Sequence, residues 1–149
     1  MTINQVVDNV YIIPLGMVNV FLIDRNGLTL IDCGIPGSEK QIFTALESIG
    51  KKPGDIKNIL ITHLHYDHIG ALKAIKEASG APVYMHSAEA AALRRGNTRH
   101  AFRSAPGLIG ILATVIRRME ADSKEEPLEV EYDLEDGSRL SMIGNLSAI

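Results

Sequence analysis

Over residues 1–34, short apolar runs broken by turn residues read as strands separated by turns. The runs end at Pro14, at Asp24-Arg25-Asn26-Gly27 and at Cys33-Gly34. Asn26 and Gly27 both tolerate positive φ, so they predict a hairpin in which Phe21–Asp24 pairs antiparallel with Leu28–Asp32. The period then changes. Ile42, Ala45, Leu46 and Ile49 fall at i, i+3, i+4 and i+7, the apolar stripe of a helix over residues 38–49. Ser38 is its expected N-cap, Gln41 completes a capping box, and Gly50 is the stop. Lys40 and Glu47 should face water. After a loop at Lys51–Asp55, Ile56–Ile61 reads as a buried strand. Ile69, Leu72, Ala74 and Ile75 line a second helix that ends near Gly80. Val83–Met85 follows as a strand, and Ser87 should cap a short helix to Arg95, closed by Gly96.

Residues 97–126 break this rhythm. Pro106-Gly107 opens an apolar stretch, Leu108 to Ile116, that is too short to span a bilayer. It fits a helix covering the domain's own core, and it fits a cap over a site entrance that gives a substrate an apolar wall. A role at a membrane surface is a third option, because arginines flank the stretch. Glu129–Leu134 alternates polar and apolar like an edge strand, Glu135-Asp136-Gly137 turns, and Leu140–Ile143 begins another strand. No repeat, low-complexity segment or linker divides the 149 residues, so residues 1–149 read as a single domain or a large part of one.

Charge changes this picture little. The net charge of −3 does not suit a general nucleic-acid binder, and no nucleic-acid partner is expected. Six arginines and no acid lie between Arg94 and Arg118, followed by nine acids and one Lys between Glu120 and Asp136. Two solvated surfaces that neutralise each other are the plain reading. The sharper one is an arginine-rich rim that attracts an anionic substrate. The single cysteine, Cys33, cannot form an internal disulfide and reads as a small packed residue. No signal peptide is evident and no apolar run reaches membrane-spanning length, so a cytoplasmic protein without stable membrane insertion is expected.

The chemistry concentrates between His63 and His68, where three of the five histidines and one carboxylate fall within one turn. Imidazole nitrogen and carboxylate oxygen are ligands that suit Zn²⁺ and related ions. The turn joins the strand at 56–61 to the following helix, and open α/β sheets place ligand sites at such carboxyl ends. His63 and His65, two apart in extended chain, leave from one face and can grip one ion. Asp67 and His68 should point elsewhere. Two adjacent metals are therefore the economical reading, one on His63 and His65, the other on Asp67 and His68. Asp32 reads either as a support that fixes a ligand or the loop backbone, or as a turn-capping residue. Thr62 braces the loop. Gly70 marks a close backbone approach to the metals, and Tyr66 lines the entrance. His86 reads as a strand-terminal residue and His100 as a surface one.

At these positions the chain resembles the metallo-β-lactamase-fold hydrolases, whose signature is Thr-His-x-His-x-Asp-His-x-Gly; Thr62 to Gly70 meets every specified position. Val7–Ile13 resembles the family's first strand and Val18–Ile23 its second. Leu30-Ile31-Asp32-Cys33-Gly34 resembles its Leu-Ile-Asp-Thr-Gly element with Cys33 in place of Thr, and Pro82–His86 resembles the strand after the metal-loop helix. The tone is that of the small bacterial glyoxalase-II-like and lactonase-like members.

The resemblance implies an α/β (α+β) fold, the N-terminal half of an αββα sandwich. It also implies a dizinc hydrolase, with Fe or Mn possible, in which a metal-activated hydroxide attacks a small ester, thioester or lactone and Asp67 helps to orient the nucleophile. The family takes its remaining ligands from the second half of its domain, and no histidine follows His100 here. The chain therefore reads as truncated, with an uncovered sheet face that invites homodimerisation or aggregation. Two other classes compete: iron-dependent sulfur or oxygen redox chemistry on the same fold, and an inactive fragment. The oxygen-reducing branch usually carries Glu where this chain has His65, which counts against it, whereas sulfur-oxidising relatives keep the His.

Overall fold

The computed structural model describes residues 3–96, 127–143 and 146–147. Its first three strands form a meander. Strand β1 (Asn4–Val7) pairs antiparallel with β2 (Val10–Pro14), and β2 pairs antiparallel with β3 (Asn19–Asp24). The expected single strand Val7–Ile13 is thus two strands. Asn9 breaks it by adopting φ 63°, a conformation that Asn, with its short hydrogen-bonding side chain, visits more readily than most residues. The second hairpin forms as expected: β4 (Leu28–Ile31) pairs with β3, Phe21 opposite Ile31 and Asp24 opposite Leu28. Asn26 and Gly27 turn the chain with φ 51° and 110°.

From β4 onward the sheet is parallel, and each new strand needs a crossover. Helix α1 (Glu39–Ser48) leads to β5 (Ile56–Leu60). The one-turn α2 (Tyr66–Ile69) and then α3 (Leu72–Ser79) lead to β6 (Val83–His86). Helix α4 (Ser87–Arg94) precedes β7 (Tyr132–Leu134), which pairs parallel with β6. The sheet order is β1-β2-β3-β4-β5-β6-β7. A separate antiparallel pair joins β8 (Arg139–Leu140) to β9 (Leu146–Ser147). The strand expected over Leu140–Ile143 stops at Leu140, and Ser141–Ile143 coils into a 3₁₀ turn. The segment 97–126, with its expected cap and His100, lies outside the described residues.

One face of the sheet carries the helices. Leu22, Leu30, Ile59 and Val83 line up across four strands and are fully buried or nearly so, packed with Ile42 and Leu46 of α1, Leu72 and Ile75 of α3, and Leu93 of α4. The helical stripe is as expected, with Lys40 and Glu47 exposed. Its capping is not: Ser38 is itself helical (φ −67°, ψ −19°) and its side chain makes no cap bond. Nor does Ser87 cap α4, because it is the first helical residue; His86 precedes it, and its Nδ1 accepts the Ala88 amide at 3.3 Å.

The opposite face carries a second row, set by the same register: Ile12, Phe21, Ile31, Leu60, Tyr84 and Tyr132 stand side by side across six strands. The Tyr84 and Tyr132 rings stack 4.4 Å apart at 12°. A small cluster of Ile23, Leu140 and Ile143 covers part of this face. Edge strand β7 is clamped to the helical layer by Arg94, which donates to both Asp133 oxygens (2.6 and 3.1 Å) and to the Val130 carbonyl. Among the described residues, no helix is long and apolar enough to cross a membrane.

Candidate functional site

The β5–α2 turn lies where β4 and β5, parallel neighbours, present their carboxyl ends together. Asp32 follows β4, and its amide donates to the Leu60 carbonyl at 2.9 Å. It is 5% exposed and sits at φ 63°, a left-handed conformation uncommon outside glycine. This backbone aims the carboxylate across to the β5 loop. Oδ1 accepts the Thr62 amide at 2.9 Å, Thr62 Oγ1 reaches Oδ1 and Oδ2 at 3.0 and 2.8 Å, and His68 Nδ1 lies 2.8 Å from Oδ2. Asp32 thus joins the loop backbone, the Thr62 hydroxyl and the His68 ring through one carboxylate.

These bonds assign the imidazole hydrogens. A carboxylate only accepts, so His68 Nδ1 carries a hydrogen. Thr62 has one hydroxyl hydrogen and spends it on Asp32, so His63 Nδ1, 3.0 Å from Thr62 Oγ1, must donate to that oxygen. One carboxylate thus orders two rings. In both, Nε2 is left with its lone pair, the form that a neutral metal-ligating imidazole needs.

The rings are neighbours. His63 lies 4.4 Å from His65 and 4.0 Å from His68, centroid to centroid. Asp67 and His68 were expected to face away from the first pair. His68 instead turns back beside His63, because α2 begins at Tyr66 and Asp32 holds the ring. Asp67 Oδ2 is 3.7 Å from His68 Nε2. As placed, no group of three or more His, Cys, Asp or Glu among the described residues is disposed to hold an ion. The donor chemistry nonetheless fits a divalent metal: neighbouring imidazoles, two of them ordered through Nδ1, with a carboxylate beside them.

Burial, then the neighbouring His68 and His65, lowers the His63 pKa from its usual 6.5. The ring therefore keeps its neutral form to lower pH than an ordinary imidazole does. Its contribution makes the fold lose stability only as pH falls below 6.5, because the unfolded chain takes up the proton first. A proton NMR titration of metal-free protein should place the His63 midpoint under 6.5; a midpoint at or above it contradicts this environment.

Three features escaped the sequence reading. At Gly70 an added Cβ would collide with Pro36 Cδ and sit 2.5 Å from Pro36 N, so the glycine admits the Ile35–Pro36 backbone. Glu89, from the first turn of α4, accepts the Leu64 amide at 2.7 Å. No pattern signalled that bond; an acid in a first turn reads simply as a partner of the helix dipole. The second helix expected from Ile69 to near Gly80 is two pieces, the single turn α2 and then α3 from Leu72. Cys33 is fully buried, and burial followed by the adjacent Asp32 charge raises its thiol pKa well above the usual value, which disfavours the thiolate. Tyr66 is 48% exposed at the turn, and His86 ends β6.

Residues 13–143 match the model of the Metallo-beta-lactamase superfamily. A Bacillus subtilis (strain 168) relative described as probable metallo-hydrolase YflN is 37% identical over 81 residues, 54% of this chain and 28% of its own length. Among solved structures, a beta-lactamase from Chitinophaga pinensis is 28% identical with a TM-score of 0.72, covering 94% of this chain and 48% of its own. A class B3 di-zinc metallo-beta-lactamase, LRA-12, from an Alaskan soil metagenome is 26% identical with a TM-score of 0.70, again covering 94% and 48%. The chain thus spans about half the length of these solved relatives.

Proposed function

Because the chain belongs to the metallo-beta-lactamase superfamily, we propose that it is part of a metal-dependent hydrolase acting on a small ester, thioester or lactone. In this reading His63, His65, Asp67 and His68 hold two divalent ions, Zn²⁺ first among them. The observation that carries it is the Asp32–Thr62 network, which engages the Nδ1 atoms of His63 and His68 and leaves their Nε2 atoms as the ligand atoms, on rings 4.0 Å apart. Bound ions of this kind supply Lewis acidity and, from water, a nucleophile near neutral pH. The protein's own part is to keep hydrogens on the two Nδ1 atoms, through Asp32 and Thr62, so that the Nε2 atoms would be the ones to bind the ions. Asp67, whose carboxylate lies 3.7 Å from His68 Nε2, would help to orient the attacking water. Tyr66, exposed at the turn, offers an aromatic edge to the substrate. The metallo-hydrolase description of the Bacillus relative and the di-zinc description of the soil enzyme support this choice of chemistry.

The test is metal analysis of the purified complete protein that contains this chain, followed by assays on one ester, one acylated thiol and one lactone. About two equivalents of Zn²⁺ are expected, with hydrolysis of at least one substrate that a chelator abolishes and Zn²⁺ restores. Iron as the stoichiometric metal together with redox turnover, or full metal loading and no hydrolysis of any of the three, would sink the proposal.

A further inference from the structure

We infer that Glu89 is a positioning residue for the His63–His65 pair. Its carboxylate accepts the amide hydrogen of Leu64, the residue between the two histidines, at 2.7 Å. The inference rests on the reading of those histidines as metal ligands and extends it to the opposite flank of the site.

The topology makes the case. Strand β5 lies between β4 and β6 in the sheet. Asp32 follows β4 and grips the loop from that flank, through Thr62 and His68. Glu89 follows β6 and grips it from the other. Between the two carboxylates the loop has little freedom to rotate. Rotation matters here, because the His65 amide donates to the His63 carbonyl at 3.1 Å, a tight turn centred on Leu64, so the orientation of the Leu64 peptide sets the directions of both flanking histidines. Leu64 itself is fully buried, so its side chain resists the same rotation from below.

Glu89 is well supported. Ala90 and Leu93 of α4 are buried in the core, the His86 ring caps the helix start, and Arg94 ties the helix end to Asp133 and Val130 of the β7 region. A bond from an amide to a charged carboxylate is among the stronger hydrogen bonds in proteins. An acid in the first turn of α4 would complement the helix dipole equally well if it faced solvent. Its contact with the loop, 25 residues earlier in the chain, is what marks a second role.

Two measurements on the intact protein test this. The first is hydrogen exchange of the Leu64 amide in metal-free protein. The second is Zn²⁺ affinity by calorimetry. In Glu89→Ala, Leu64 protection should fall at least roughly tenfold and Zn²⁺ affinity by roughly 10–100-fold. Glu89→Gln keeps an acceptor oxygen and should restore most of both. If Glu89→Ala does not fold, Glu89→Asp, one methylene too short to reach, takes its place. Unchanged Leu64 exchange in the Ala or Asp variant overturns the inference. So does unchanged Zn²⁺ affinity once the amide is freed, and so does a Gln variant no better than Ala. Loss of Zn²⁺ in Glu89→Gln as complete as in His65→Ala would make Glu89 a ligand, which also overturns it. A wild-type protein that takes up no Zn²⁺ sinks the hydrolase reading and the positioning role toward metal together. Intact Leu64 protection with Zn²⁺ bound but no hydrolysis sinks the hydrolase reading alone.

Discussion

Asp32→Ala is expected to destabilise the fold by about 3 kcal/mol and to weaken Zn²⁺ binding by roughly 10–100-fold. Asp32 accepts from the Thr62 amide, the Thr62 hydroxyl and the His68 ring, and it is 5% exposed. Each donor stranded in a partly buried place costs about 1–3 kcal/mol, and relaxation and water recover part of the sum. Alanine at φ 63° adds strain that aspartate bears more easily. The effect on metal comes by another route. Without the carboxylate, the hydrogen on His68 Nδ1 loses its acceptor and can move to Nε2, the atom meant for the ion. Asp32→Asn separates the two effects. It tolerates the same backbone and keeps an oxygen for Thr62, so most stability should survive, while its amide cannot accept from His68 and serve Thr62 at once. Urea denaturation and Zn²⁺ calorimetry on both variants check this. An Asn variant that binds Zn²⁺ like wild type would show that the ring hydrogens are not set by Asp32.

Gly70→Ala is expected to cost about 2–3 kcal/mol without touching any polar group of the site. Gly70 has φ −59° and ψ −31°, which any residue adopts, and on helix propensity alone alanine should improve the protein. Against that stand Pro36 N at 2.5 Å and Ile35 C at 2.7 Å from the added Cβ. These are backbone atoms, so the loop after Cys33 would have to shift as a unit. The shift would not stay local, because the Cys33 amide donates to the His68 carbonyl at 2.7 Å. The check is the midpoint of chemical denaturation beside that of the parent. A neutral or stabilising result would mean that the two segments are not packed as described.

What could be read from the chain was local. The stripe Ile42, Ala45, Leu46 located α1, the Asn26-Gly27 pair located a hairpin, and the strand ahead of the histidines placed the site at a carboxyl end. Each of these signals lies within a dozen residues, where periodicity and turn chemistry act. The misses share the opposite trait. Val7 and Val10–Ile13 look continuous, and only the conformation of Asn9 separates them. The reason for Gly70 lies at Pro36, the reason for the pose of His68 at Asp32, and the anchor of Leu64 at Glu89. No spacing rule spans such distances, because the sheet order, and not the sequence, makes those residues neighbours. Within the motif, ligand types were legible and ring directions were not. Adjacency of Asp67 and His68 suggested a separate pair, whereas one helical turn and a buried carboxylate brought His68 beside His63.

The stacked tyrosines have a practical consequence. The chain has no tryptophan and four tyrosines, so its near-ultraviolet signal belongs to tyrosine. Tyr84 and Tyr132 come from strands separated in sequence by nearly fifty positions and meet only when β7 docks beside β6. Their exciton-coupled circular dichroism is an optical gauge of whether that last parallel strand has closed, readable with no label attached.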